Sequence, residues 1–243
     1  MRTMSIRRTV ITLAAAAVLL AGCAGRGSGE SVWQAPADNG VAALEPAQIL
    51  ERSKTALKGA KSYRIKGDVI ADGKRMGLDL RISGDDVAGN ISMDDASVEL
   101  LSVGGKQYMR PDEKFWEQNV GAEAAEQMTK LMGDRWSVVP ERNKDFADLF
   151  GVTNLDNLFE ADGTVVKGET KDIGGAQAVA LIDEGGKGGT LWVATIGEPY
   201  PVRVESKETG QGQITLNDFG TTFPQLKAPT EDQVVDLEKF KGK

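Results

Sequence analysis

Arg75-Met76-Gly77-Leu78-Asp79-Leu80-Arg81-Ile82 is the stretch that decides the fold. Every second residue is apolar and the residues between are charged or glycine, the period of a strand that buries one face and wets the other. Asp72-Gly73 stands before it and Gly84-Asp85-Asp86 after it, both turn-forming sets. The same period recurs on either side. Tyr63, Ile65, Gly67 and Val69 alternate with Arg64, Lys66 and Asp68; then come Val87, Gly89, Ile91 and Met93, residues 98–103, and residues 107–110. Turn signals about every ten residues make this an antiparallel meander.

The pattern changes at both ends of that block. Pro46–Ala60 reads as a helix, with proline at its first position and Ile49, Leu50, Ser53, Ala56, Leu57 and Ala60 at the 3, 4 spacing of one buried face. Residues 111–160 form a helical insertion: Ala122–Met132, then 145–150, then a turn around Leu155, Leu158 and Phe159. Strand patterns return at 164–169, 176–183, 189–194, 201–205 and 213–217. About ten or eleven antiparallel strands cannot stay flat; they twist and curl. The expected class is α+β, a strongly curved antiparallel half-barrel covered on its concave side by helices.

The front of the chain is of another kind. Arg2, Arg7 and Arg8 precede an apolar run from Val10 to Leu20, which is short for a bilayer span. Leu20-Ala21-Gly22-Cys23 follows, a lipobox. Residues 1–22 are thus expected to be a lipoprotein signal peptide cut between Gly22 and Cys23, with lipid added at Cys23. Residues 23–45, rich in Gly and Ala with Ser, Pro, Asn and Asp among them, read as lipidated N-terminus and flexible tether, with Trp33 as an isolated aromatic. Residues 46–243 read as one domain. One acyl chain holds a protein only marginally, whereas two or three make the attachment lasting, at about 0.8 kcal/mol per buried methylene. The expected place is the cell membrane, on its extracytoplasmic face.

Composition narrows the chemistry. The signal segment takes Arg2, Arg7 and Arg8 from the 29 basic residues and nothing from the 36 acidic ones, leaving a formal charge of −10. Such a balance gives no phosphate-binding stripe, so nucleic acid is not an expected partner, and an anionic bilayer repels the domain on average. With no histidine, Ser-His-Asp and Cys-His catalysis and histidine metal sites are absent. The one cysteine, assigned to lipid, leaves no thiolate nucleophile and no disulfide. Asp85-Asp86, Asp94-Asp95 and Asp183-Glu184 are adjacent pairs suited to turns, not carboxylates spaced across a sugar. Gly185-Gly186-Lys187-Gly188-Gly189 lacks the Ser or Thr and the helix of a phosphate loop and reads as a hairpin. No catalytic residue, metal or cofactor is assigned.

Several segments carry a family resemblance. Ala56-Leu57-Lys58-Gly59-Ala60-Lys61-Ser62-Tyr63 closes the helix ahead of the first strand, and Gly104-Gly105-Lys106-Gln107-Tyr108-Met109 precedes Trp116. Thr190-Leu191-Trp192-Val193, Tyr200-Pro201-Val202-Arg203-Val204-Glu205 and the Asn217-Asp218-Phe219-Gly220 end of the last strand complete the set. In this order, behind a lipobox, they resemble the LolA/LolB-like lipoprotein-carrier superfamily, and within it the LppX/LprG-type envelope lipoproteins of actinobacteria. The resemblance implies a half-barrel whose apolar cavity binds acyl chains of lipids or glycolipids, for carriage or chaperoning, without covalent chemistry. The alternative is an envelope sensor or scaffold that docks a partner protein. Alternation alone picks the cavity candidates: Ile65, Val69, Met76, Leu78, Leu80, Ile82, Ile91, Met93, Val98 and Leu100, with Met128, Leu131 and Phe150 from the covering helices. The same residues fit plain core packing, and Trp116, Trp136 and Trp192 fit core or rim, Trp116 with an entrance as its other reading. The expected partners are a membrane through the N-terminal lipid, a lipid or glycolipid ligand and an envelope protein, with the chain itself a monomer.

Overall fold

A computed structural model describes residues 37–236 apart from 72, 140–149, 151–158, 187, 208–209 and 211. Gly22, Cys23, Trp33, residues 145–149, Leu155 and Leu158 therefore lie outside the described residues. Helix α1 (Pro46–Ala60) leads into strands β1 (Ser62–Ala71), β2 (Lys74–Ser83), β3 (Asp86–Met93), β4 (Ala96–Val103) and β5 (Lys106–Pro111). Helices α2 (Glu113–Val120) and α3 (Ala122–Met132) and the short β6 (Trp136–Val138) follow. The second run is β7 (Val165–Ile173), β8 (Ala176–Asp183), β9 (Gly189–Ala194), β10 (Pro201–Ser206) and β11 (Gly212–Asn217), closed by β12 (Val234–Val235).

Among the described residues twelve strands form one sheet in the order β12-β6-β5-β4-β3-β2-β1-β11-β10-β9-β8-β7. The terminal strands β12 and β7 are not joined, so the curved sheet is a half-barrel and not a closed one. Neighbours run antiparallel except β12 and β6, which pair parallel through Val234 with Trp136 and Val235 with Ser137. The two meanders meet where β1 pairs with β11, Ile65 opposite Leu216 and Gly67 opposite Ile214.

The period of two sorts the sheet into unlike faces. On the helix-covered, concave face, Ile65, Leu78, Leu80, Ile82, Ile91, Val98, Leu100, Val179, Leu181, Leu191, Val193, Ile214 and Leu216 join Ile49 and Leu57 of α1, Phe115 and Trp116 of α2 and Ala125 of α3 in one apolar cluster. Burial of such side chains stabilises by about 1.5–3 kcal/mol each. The convex face carries ion pairs, Arg64 with Asp79 at 2.6 Å and Arg110 with Glu99 at 2.7 Å, and two small apolar patches around Trp192 and Tyr108.

Each helix has a local cause. Pro46 opens α1, the Gln48 side chain accepts from the Glu45 amide at 3.3 Å, and Lys61 ends the helix at φ 63°. The Asp112 carboxylate accepts from the Phe115 amide at 2.8 Å and caps α2. Gly121, at φ 83°, separates α2 from α3.

The folded part begins ahead of Pro46, which corrects the tether boundary at 45. Asp38 bridges Ile196, and the Asn39 amide nitrogen donates to the carbonyls of Ala194 and Gly197, both at 3.0 Å. Val41, the one large aliphatic side chain in that stretch before Leu44, is fully buried in the main cluster. The residues 37–45 look like linker by composition, but one buried valine and one clasping asparagine suffice to dock them.

Candidate functional site

A pocket of about 410 Å³ opens at one end of the half-barrel. Six neighbouring strands contribute the ends that meet there: Val69 and Ile70 finish β1, Gly212 starts β11, Val204 to Ser206 finish β10, Gly189 to Leu191 start β9, Leu181 and Asp183 finish β8, and Val165 starts β7. Leu50, one turn into α1, and Phe159 to Asp162 complete the wall. Its floor is apolar: Leu50, Val69, Phe159, Val165, Leu181, Leu191 and Val204. The volume falls within the roughly 300–1,000 Å³ of small-molecule sites.

Close backbone packing shapes this end. Gly212 has φ 111°, and a Cβ there would overlap the Asp68 carbonyl and stand 2.8 Å from the Cα of Val69. A side chain on Gly189 would overlap the carbonyl of Glu205. Glycine at both positions lets β1, β9, β10 and β11 converge without filling the mouth. The Gly185 hairpin is braced by Lys207, whose Nζ donates to the carbonyls of Glu184 at 3.1 Å and Gly185 at 2.9 Å. Lys54 sits 5.5 Å from the Phe159 ring centre.

Of the thirteen cavity candidates, Val69 lines this pocket. Ile65, Leu78, Leu80, Ile82, Ile91, Val98, Leu100 and Phe150 are buried in the main cluster, with Met76, Met93, Met128 and Val69 partly buried against it. Leu131 is half-buried on α3 outside that cluster. Alternation thus found the concave face and its core, while this pocket lies in the second meander, at Val165, Leu181, Leu191 and Val204. The signal there was the glycines, Gly188, Gly189 and Gly212, which interrupt the apolar period where the strands end.

The carboxylate pairs occupy turns. Asp86 accepts from the Gly104 amide at 3.0 Å; Asp94 adopts φ 54°; Asp183 accepts from the amides of Gly185 at 2.9 Å and Asp162 at 2.8 Å. Those amides hold the Asp183 carboxyl below the usual carboxylate range. On the convex face the Arg64 guanidinium lowers Asp79 in the same sense, and burial pushes the Tyr63 hydroxyl up to about 12. Trp116 is buried edge-on to Phe115 at 5.8 Å in the core. Trp136 stacks under Arg110 at 4.7 Å, and Trp192 under Lys171 at 4.4 Å.

Among the described residues no group of three or more His, Cys, Asp and Glu is placed to hold a metal ion. No helix among them is long and apolar enough to cross a membrane.

The class that this architecture defines is an α+β half-barrel with a pocket at one end whose floor is apolar and whose rim is polar. The chain is similar in fold to LprF from Mycobacterium bovis, at 16% identity and TM-score 0.49 over 76% of this chain and 96% of that one. It is similar also to the Mycobacterium tuberculosis lipoprotein LppX, at 16% identity and TM-score 0.44 over 74% and 94%, one of the group that the sequence resembles. MucB in the Pseudomonas aeruginosa MucA/MucB complex aligns at 15% identity and TM-score 0.38 over 76% of this chain and 61% of that one. At these identities the likeness is one of chain course and not of site residues. No protein-family model matches the chain, and no curated protein matches its sequence.

Proposed function

We propose that the chain is an envelope lipoprotein, held to the outer face of the cell membrane through Cys23, that shelters an acyl chain in the pocket between α1 and the second meander. The observation that carries the reading is the apolar floor of that 410 Å³ pocket, open at the strand ends and walled by Leu50, Val69, Phe159, Val165, Leu181, Leu191 and Val204. For an octyl chain, burying about eight carbons there yields roughly 6 kcal/mol, a dissociation constant on the order of 20 µM before ordering costs. An acyl chain needs nothing more than such a wall: no bond is made, and no nucleophile, metal or cofactor takes part. The Leu20-Ala21-Gly22-Cys23 sequence supports the anchor.

A chain starting at Ala24 retains the whole compact unit Pro36–Lys243 and carries no lipid of its own, so it tests the pocket alone. Purified from bacteria under native conditions and extracted with solvent, it is expected to release lipid detectable by mass spectrometry and to take up an uncharged fluorescent dodecyl probe. A preparation free of lipid that also ignores the probe refutes the acyl reading. Metabolic labelling of the full chain with a clickable fatty acid tests the anchor separately: label lost on Cys23→Ala supports it, and label absent from the wild type refutes it.

A further inference from the structure

The polar end of any bound chain must stand at the pocket's mouth, and the rim there has a definite chemistry. Glu160, Asp162 and Asp183 line it, and no Lys or Arg does among the described lining residues. Asp183 is kept ionised by two backbone amides, Gly185 at 2.9 Å and Asp162 at 2.8 Å. Glu160 and Asp162 are exposed. Glu205 also lines the pocket, but its carboxylate lies 3.3 Å from the Arg203 guanidinium, which offsets it. Lys207 is the cation beside Asp183, with its ammonium engaged by the carbonyls of Glu184 and Gly185. Lys54, 5.5 Å from the Phe159 ring centre, is offset by Glu51 at 3.8 Å, so among the described residues three carboxylates against the one engaged ammonium of Lys207 leave the mouth negative and rich in hydrogen-bond acceptors, to which the hydroxyls of Thr190 and Ser206 add.

Resting on the acyl-pocket reading, we infer that this pocket takes lipids whose headgroup donates hydrogen bonds and bears no negative charge, and turns away phosphate- and carboxylate-headed lipids. Sugar hydroxyls and an ammonium both meet that description. Either donates into the free lone pairs of Glu160 and Asp162, charge-assisted bonds that are stronger than those between neutral groups. A phosphate in the same place faces like charges within the screening length of about 10 Å at ordinary salt and finds no cation among the described lining residues.

The test holds the tail constant and varies the head. Dodecyl maltoside, dodecylammonium and dodecyl phosphate are titrated calorimetrically, below their micelle concentrations, into the chain starting at Ala24. At low salt the maltoside and the ammonium are expected to bind at least about five-fold more tightly than the phosphate. In about 0.5 M salt, where screening acts within a few ångströms, the ammonium loses its advantage and the maltoside keeps its affinity. The double variant Glu160→Gln with Asp162→Asn is expected to bring the phosphate to within about two-fold of the maltoside, while the double variant's melting temperature reports that it folds. The maltoside and ammonium arms tell the two donor sources apart. Equal binding of all three ligands, or tighter binding of the phosphate, overturns the headgroup inference and leaves the acyl pocket standing. Binding of none overturns both.

Discussion

Val204 offers the sharpest test of the pocket. It is half-buried on β10, opposite Leu191 and Ile214 in the sheet, and lines the open volume. Val204→Trp adds about seven heavy atoms to that floor, which close packing exchanges for three or four methylenes of ligand. Taking about 30 Å³ per methylene by analogy with a water's share of liquid, the 410 Å³ pocket admits roughly a dozen. Each is worth about 0.8 kcal/mol, or nearly four-fold in affinity. Wild-type affinity for alkyl maltosides is therefore expected to climb about four-fold per methylene from octyl to near dodecyl and then level off. In the variant the plateau comes three or four methylenes sooner, and dodecyl binding falls roughly fifty- to two-hundred-fold. Calorimetric titration across the chain-length series reads both numbers, and a thermal melt within a few degrees of wild type shows that the indole entered open space. A variant that melts normally and binds dodecyl maltoside as the wild type does refutes the assignment, and so does an affinity indifferent to chain length.

Leu80 lies in the sealed core instead, fully buried beside Ile65 and Gly89; Leu80→Ala is expected to cost about 3–5 kcal/mol in denaturant unfolding without selectively weakening ligand binding. The same burial makes Leu80→Trp an overpacking change that destabilises by about 1–3 kcal/mol or more. Tyr63 has its hydroxyl raised to about 12 by burial, so the native state keeps a proton that the unfolded chain releases above about 10, and stability is present below that pH and lost between the two values. Tyr63→Phe should flatten this alkaline loss in melts taken from pH 9 to 12. Asp79 runs the opposite way: its carboxyl is lowered by Arg64, so its stabilisation is present at neutral pH and lost as pH falls below about 4. The pair is partly exposed, so Asp79→Asn should cost under about 1 kcal/mol at pH 7, with the gap from wild type narrowing as the pH is lowered through the carboxylate range.

The first meander was legible because each of its strands is at least six residues long, enough for alternation to show twice or more on each face. Helix α1 was legible for the same reason at its own period, with Ile49, Ser53 and Leu57 buried one turn apart. Strands β6 and β12 have three and two residues, too few for any period, and their parallel pairing joins chain segments about a hundred residues apart. Helix α2 went unread because its buried face amounts to Phe115 and Trp116, neighbours in sequence that look like an isolated aromatic pair. Its Pro111-Asp112 start carried a cap signal all the same. Of the thirteen alternating candidates Val69 alone lines the second-meander pocket, because unbroken alternation, as in β2, marks strands whose side chains fill their space. Along the pocket the period is interrupted at Gly188, Gly189 and Gly212, where neighbouring backbone lies too close for a side chain.

The Asn39 clasp has a mechanical consequence. It fixes the chain at the Ala194 end of β9, while the pocket opens at the Gly189 end, about 17–20 Å away along the strand at 3.3 Å per residue. A pull on the residues ahead of Ala37 is borne by the Asp38 bridge to Ile196 and the two carbonyls that Asn39 holds. β9 takes that load at its Ala194 end, away from the Gly189 end that lines the mouth. A pull arriving ahead of Ala37 thus enters the sheet at the end away from the opening.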